Sequence, residues 1–488
     1  MMAAKDFIVA IELGSSKVTG IAGQKNIDGS IKVLAVVKED SSSFIRKGVV
    51  NNIDKTAACI TSIVNKLKTQ LKTDITQVYV GVGGQSIRSI RNVISLDLPS
   101  ETKVTQDMII GLMDENRSKE YPDQEILDVA TQEYHVDAQM QIDPVGIQCS
   151  RLEGNFLNIL QRNKFYKNLN DCFETAGIRI AEMFLAPLAL ADSVLTEAEK
   201  RLGCALVDIG SDTTTVSVYS KNILRHLAVI PLGSNNITKD IASLQMEEAD
   251  AEKMKLKYAS AYTDNNDIDN TMMLPIDGDR QIESRKFIEI VEGRMEEIIH
   301  NVWYQIPSDY YDKLLGGIIL TGGGSNMKDI EKAFINHTNI EKIRVAKFVT
   351  HNIISNNAEV NAKNGTMNTI LGMLAKGDLN CAGMEVDLNG NLFEQKPQTV
   401  PNTERQARQV NEIPVGVVVS EAEKKAKEEA QRLKEEQEAR EIAEQKRIQE
   451  EEERLKKEEE ERIRRENSLG NRFKKSVTNF FKVIVSEE

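Results

Sequence analysis

A pattern of strand, glycine turn, strand, turn, strand occurs twice in this chain, and few folds accommodate it. Phe7 to Leu13 reads as a strand, Gly14-Ser15-Ser16 turns it, and Val18 to Gln24 returns; Asp28-Gly29 then makes a second hairpin into Ile31 to Val37. The same grammar runs from Ala205 to Ile209, through Gly210-Ser211-Asp212 into Thr213 to Tyr219, and through Ser220-Lys221-Asn222 into Ile223 to Ile230. Repetition of this kind marks duplicated supersecondary units. Two such units predict an α/β fold with two lobes, built from related half-domains that face each other across a cleft. Single cores stop growing near ~250–300 residues, so a chain of 488 residues has room for both lobes.

The turns carry the chemistry of phosphate binding. Gly14 lets the backbone approach a ligand closely, and the amides and hydroxyls of Ser15 and Ser16 can cradle phosphate oxygens. Glu12, at the strand end, is placed to hold Mg²⁺ through water. The second turn repeats these parts with Gly210, Ser211, Asp212 and Thr213, and Asp208 is the matching carboxylate. Either turn alone is an ordinary hairpin signal; the matched pair is more specific. A third piece is the apolar run from Gly317 into Gly322, Gly323, Gly324 and Ser325, which suits close approach of a flat ring or ribose. The G-x-x-x-x-G-K-[ST] loop is absent and no G-x-G-x-x-G opens a helix, which disfavours ordinary P-loop and dinucleotide folds.

Charge and cysteine usage exclude other classes. A net charge of -13 argues against nucleic acid as the main partner. Cys59, Cys149, Cys172, Cys204 and Cys381 are scattered with no Cys-x-x-Cys, so they read as reduced thiols of an intracellular protein. His135, His226, His300, His337 and His351 show neither triad order nor metal-ligand spacing. Lys5 and Asp6 before the first strand do not resemble a signal peptide. No run approaches the ~20 apolar residues of a spanning helix.

The composition changes beyond the lobes. Residues 381–419 read as a flexible linker rich in Asn, Gln, Pro and Val. Ser420 to Glu466 carries 18 acidic and 14 basic residues, with Glu four places before a base at Glu428/Arg432, Glu453/Lys457 and Glu461/Arg465 among others. This pattern favours a single solvated helix over residues 420–467, with coiled coil and disorder as alternatives. In the last segment, 468–488, Phe473, Val477, Phe480, Phe481 and Ile484 fall on one helical face. Lys475 and Lys482 fall on the other, flanked by Arg472 and Lys474. Such a helix lies in a membrane interface, or docks the same face into a protein groove.

Two phosphate hairpins and a late Thr-Gly-Gly-Gly loop, in this order, resemble the actin, sugar-kinase and heat-shock-chaperone superfamily. Within it, residues 5 to 380 and the extreme C-terminus resemble the FtsA family of bacterial cell-division proteins. The marks are Glu12 where most of the superfamily has Asp, Lys47 to Asp54, Val78 to Gln85, Asp192 to Glu199 and Asn236 to Ala242. The resemblance implies ATP and Mg²⁺ as cofactors. Gly14, Ser15, Ser16 and Lys17 would meet the phosphates from one lobe, and Gly210, Ser211, Asp212 and Thr213 from the other. Gly322 to Ser325 would hold the adenosine, and Glu252 and Lys255 would flank the nucleoside unless they form a solvated helix face.

The resemblance also implies subdomain 1A over 1–84, 165–200 and 365–380, with subdomain 1C over 85–164. Subdomain 2A would cover 201–245 and 313–364, and 2B 246–312. A protein of this family would tether the tubulin-like polymer FtsZ to the cytoplasmic face of the inner membrane, recruit other divisome proteins and self-associate into filaments. The pilus-assembly relative PilM and, more remotely, a sugar kinase are the alternatives. Two departures matter. Asp212 adds a negative charge that either repels phosphate or helps hold the cation. The stretch Phe184 to Ala191 offers no polar residue to orient water, so slow or no hydrolysis is expected.

Overall fold

A computed structural model describes residues 6–277 and 280–385. The charged run 420–467, the helix expected over 468–488 and the linker from 386 onward lie outside the described residues.

The duplication holds at the level of register. In the first unit Ile8–Leu13 pairs antiparallel with Lys17–Lys25 and parallel with Val78–Val82. In the second, Cys204–Ile209 pairs antiparallel with Thr214–Ser220 and parallel with Gly317–Thr321. Glu12 therefore stands opposite Thr19, and Asp208 opposite Thr215, each carboxylate one residue before its strand ends. Both second hairpins carry a register shift, at Ala22/Gly23 and at Val218/Tyr219. The turn at Lys221-Asn222 has positive φ at both residues, which matches the twist of a two-residue hairpin.

These units organise two sheets. The first has the order Ile180–Leu185, Val78–Val82, Ile8–Leu13, Lys17–Lys25, Ile31–Asp40, Ile353–Ile354. The helices Ile53–Leu71 and Asn368–Lys376 cover it, closing a core with Ile11, Ile21, Ile60, Ile63 and Leu371. In the second lobe alternate residues serve different cores. Ala205, Val207 and Ile209 pack with Val291, Met295 and Phe334, whereas Cys204 and Leu206 join the core of the first lobe. Burial on both faces explains why this strand is an unbroken apolar run up to Asp208.

Residues 88–162 form an inserted unit. The strands Arg88–Lys103, Gln148–Arg162, Gln124–Val136 and Gln139–Gln141 carry the helix Gln106–Arg117 over a small core of Leu112, Tyr134, Leu152 and Phe156. Its strand Arg88–Lys103 also joins the sheet of the second lobe through the pair Ala228↔Arg88. A partly buried ion pair reinforces the junction. Arg225 donates from both terminal nitrogens to Glu133, at 2.6 and 2.8 Å, and the Gln132 amide donates to Leu224 O at 2.8 Å.

Two boundaries differ from the sequence expectation. Residues 353–354, assigned by sequence to the second lobe, pair with Ile31 and Lys32 of the first lobe's sheet, so the chain crosses back earlier than 365. At the other end, 381 does not begin the linker. Cys381 is buried, its amide donates to Phe7 O at 2.8 Å, and Ala382–Glu385 pairs with Thr73–Ile75. Both short strands are stabilised by partners more than 300 residues away, which no local signal announces.

Candidate functional site

The two glycine turns have the same internal bond. Gly14 N–H donates to Lys17 O at 3.1 Å, and Gly210 N–H to Thr213 O at 2.8 Å. A Cβ on either glycine would lie within 3 Å of that carbonyl oxygen, 2.7 Å at Gly14 and 2.9 Å at Gly210, so a side chain would open the turn. The Ser15 hydroxyl accepts from Gly48 N–H at 2.8 Å, and the Ser41 hydroxyl donates to Gly14 O at 2.7 Å. Ser16 and Lys17 are exposed. On the second turn Ser211, Asp212 and Thr213 are half-buried. The Asp212 carboxylate accepts from Asn235 Nδ2 at 3.1 Å and from Lys47 N–H at 3.3 Å, so its charge is directed at donors that span from one lobe to the other.

Glu12 and Asp208 form the electrostatic centre. Each retains some accessible surface, yet each is ringed by protein atoms at the base of its turn. Burial, then repulsion from Asp208, pushes Glu12 up to about 8, against a smaller opposing pull from Lys38. Burial alone pushes Asp208 up to about 6. Two carboxylates that resist ionisation beside one another suit a hard cation with oxygen ligands, because a divalent charge reverses both penalties.

The third loop is built against this pair. The strand Gly317–Thr321 runs parallel to Cys204–Ile209 and ends in Gly322, whose φ is 84°. A Cβ on Gly322 would sit 2.3 Å from Asp208 Oδ1, and one on Gly324 would sit 2.3 Å from Ile209 Cγ2. These two glycines therefore allow close approach to the strand end itself. A Cβ on Gly323 would meet only Thr366 Cγ2, at an ordinary 3.6 Å, so packing does not demand glycine there. Ser325 is buried and donates to Gly322 O at 2.7 Å, which locks the loop.

Glu252 and Lys255 lie on the helix Glu248–Tyr258, where Lys255 turns inward and Glu252 stays partly accessible. Lys255 is buried, and its amine reaches Glu252 Oε2 at 2.7 Å, Thr238 Oγ1 at 2.8 Å and Ser234 O at 3.2 Å. Ser234 begins the helix Ser234–Ala242, and its N–H donates to Gly210 O at 3.0 Å, so the Lys255 amine supports the second turn from behind.

Sequence reasoning passed over several parts of the site. A Cβ on Gly233 would lie 2.3 Å from Ser211 O, and one on Gly48 would lie 2.5 Å from the Gly84 Cα. Gln85 N–H donates to Lys47 O at 2.8 Å. Gly48 and Gly84 sit in the two segments singled out for their family resemblance, but nothing local shows that the segments cross.

A family model described as "Cell division protein FtsA" matches residues 205–367, and one described as "SHS2 domain inserted in FTSA" matches residues 84–160. The Porphyromonas gingivalis cell division protein FtsA is 34% identical over 355 residues, covering 71% of this chain and 74% of the relative. The chain belongs to the FtsA family. FtsA of Neisseria meningitidis is 33% identical, covering 66% of this chain and 80% of the relative. Among solved structures, the PilM-PilN type IV pilus biogenesis complex superposes with a TM-score of 0.52 at 13% identity, covering 76% of this chain and 98% of the other. That likeness concerns the fold alone. This FtsA-family chain is an actin-like cell-division protein.

Proposed function

We propose that the cleft binds ATP with Mg²⁺ and that the bound state governs self-association at a membrane surface. The observation that carries the nucleotide reading is the equivalent placement of Glu12 and Asp208 beside two glycine turns closed by the same internal bond. Gly14 to Lys17 and Gly210 to Thr213 supply amides and hydroxyls for phosphate oxygens, and the two carboxylates hold the cation, at least partly through water. Gly323 offers the open backbone for the adenosine, with Gly322 and Gly324 holding the loop in place. Glu252 lies to the nucleoside side and Lys255 stiffens the second turn. Phe184 to Ala191 gives no side chain to orient a water, which supports tight binding with slow turnover.

The tail completes the function. The face of Phe473, Val477, Phe480, Phe481 and Ile484, with Arg472, Lys474, Lys475 and Lys482 around it, has the composition of an interfacial helix. Each large side chain contributes at most ~1.5–3 kcal/mol on burial, and each base near anionic lipid ~1 kcal/mol. One copy therefore binds reversibly, and several copies on a filament hold firmly through effective concentration. In this reading the protein tethers FtsZ to the cytoplasmic face of the inner membrane and brings other divisome proteins to the division site. Family membership supports the reading over a PilM-like role.

Co-sedimentation with anionic liposomes tests it, using the full chain and a truncation ending at Gly470, with and without ATP and Mg²⁺. The expected result is that only the full chain pellets, and does so more strongly with ATP. Equal pelleting of both forms would sink the tether.

A further inference from the structure

The helices Ser284–Gln305 and Ile330–Thr338 bring together two of the five histidines. Glu296 and His300 are four residues apart on the first helix and so share a face, and His337 projects from the last turn of the second. One ligand atom from each of the three residues lies within 4.8 Å of the other two. The His337 Nδ1 is 4.0 Å from Glu296 Oε1, too far for a direct hydrogen bond, and the two imidazoles stand edge to face with centroids 5.1 Å apart.

We propose that Glu296, His300 and His337 form a binding site for one zinc-class divalent cation, with a fourth position open to solvent. Metal bonds of ~2.0–2.1 Å in tetrahedral geometry place ligand atoms about 3.3–3.4 Å apart. Small side-chain rotations supply the difference, because Glu296 and His300 are exposed and His337 is half-buried. The backbones beneath do not have to move: Met295 and Ile299 on one helix and Ala333 and Phe334 on the other are fully buried in one core. His337 lies at the carboxyl end of its helix, where unsatisfied carbonyls favour positive charge. Two imidazoles and a carboxylate select zinc-like ions and are poor ligands for Mg²⁺, so this site and the Glu12–Asp208 pair take different metals. An ion here would tie the two helices together at the edge of the second lobe, far in sequence from either glycine turn.

The test is titration of the full chain with Co²⁺, read by its visible absorption, and with Zn²⁺ by calorimetry, both in excess Mg²⁺ to occupy the carboxylate pair. One ion per chain is expected. His300→Ala and His337→Ala should each weaken binding at least tenfold, Glu296→Gln less, while His135→Ala, beside Glu153 in the inserted unit, should leave it unchanged. Circular dichroism should show every variant folded, since the changed positions are accessible. Absence of binding at ~100 µM metal, or binding that survives the double variant His300→Ala/His337→Ala, would overturn the assignment.

Discussion

Replacing Glu12 by Gln should make the ligand-free protein more stable at alkaline pH. The Glu12 carboxyl titrates at 4.5 in the unfolded chain and about 8 in the folded one. Between those values the folded state holds a proton that the unfolded state has released. Stability therefore falls as pH rises through this window, by ~1.4 kcal/mol per pH unit for a single group. From pH 6 to pH 8 the full slope would give about 2.8 kcal/mol, and the folded carboxyl's own ionisation near pH 8 reduces this to about 2 kcal/mol. Gln has the same shape and no such cost. Urea unfolding with EDTA at pH 6, 7 and 8 measures it: the wild type should lose about 2 kcal/mol more than Glu12→Gln across the series. Asp208 is present in both proteins, so its own titration cancels to first order. Equal slopes for the two proteins, or a variant less stable than wild type at pH 8, would refute the account of Glu12 as a carboxyl kept neutral by burial and by Asp208. Mg²⁺ with nucleotide should invert the effect in the wild type and release close to one proton per ion at pH 7.

Two further outcomes follow from the geometry. Gly323→Ala should leave the unfolding free energy within ~0.5 kcal/mol of wild type yet weaken nucleotide binding about tenfold, whereas Gly322→Ala and Gly324→Ala should destabilise the fold; thermal unfolding and fluorescent-nucleotide titration separate the cases. Arg225→Met should cost about 3 kcal/mol in urea at pH 7, because Glu133 is left partly buried without its partner. Arg225 holds the Glu133 carboxyl below its ordinary range. The stability from this pair is thus present above pH 4.5 and lost as pH falls through the folded value, so wild type and variant should converge in acid.

Local chemistry was legible in the sequence, and long-range contact was not. Gly14 and Gly210 announce their turns because glycine permits a backbone approach that other residues block, and the repeat equates Glu12 with Asp208 before any coordinates. The sequence also suggested that glycines 322 to 324 allow close approach. It could not show that at two of the three the approaching group is the protein's own strand end. Lys255 illustrates the same limit: its spacing from Glu252 fits an exposed helix face, and only the fold turns its amine inward onto Ser234. Arg225 and Glu133, His300 and His337, and the crossing of residues 353–354 into the first sheet all depend on partners brought close by tertiary packing, which leaves no periodic trace in the chain.

The junction at Arg88 and Ala228 bears on how this protein can be taken apart. By chain connectivity the inserted unit leaves and re-enters the first lobe, which makes residues 88–162 look like a cassette to be deleted or exchanged with a relative's. Removing it would uncover the edge of the second lobe's sheet at Ile223–Ile230 and strand the Arg225 guanidinium. A transplant that respects the molecule must carry residues 224–228 with the cassette. Loss of function after a simple deletion would otherwise report damage to the second lobe as readily as loss of the insert's own contacts.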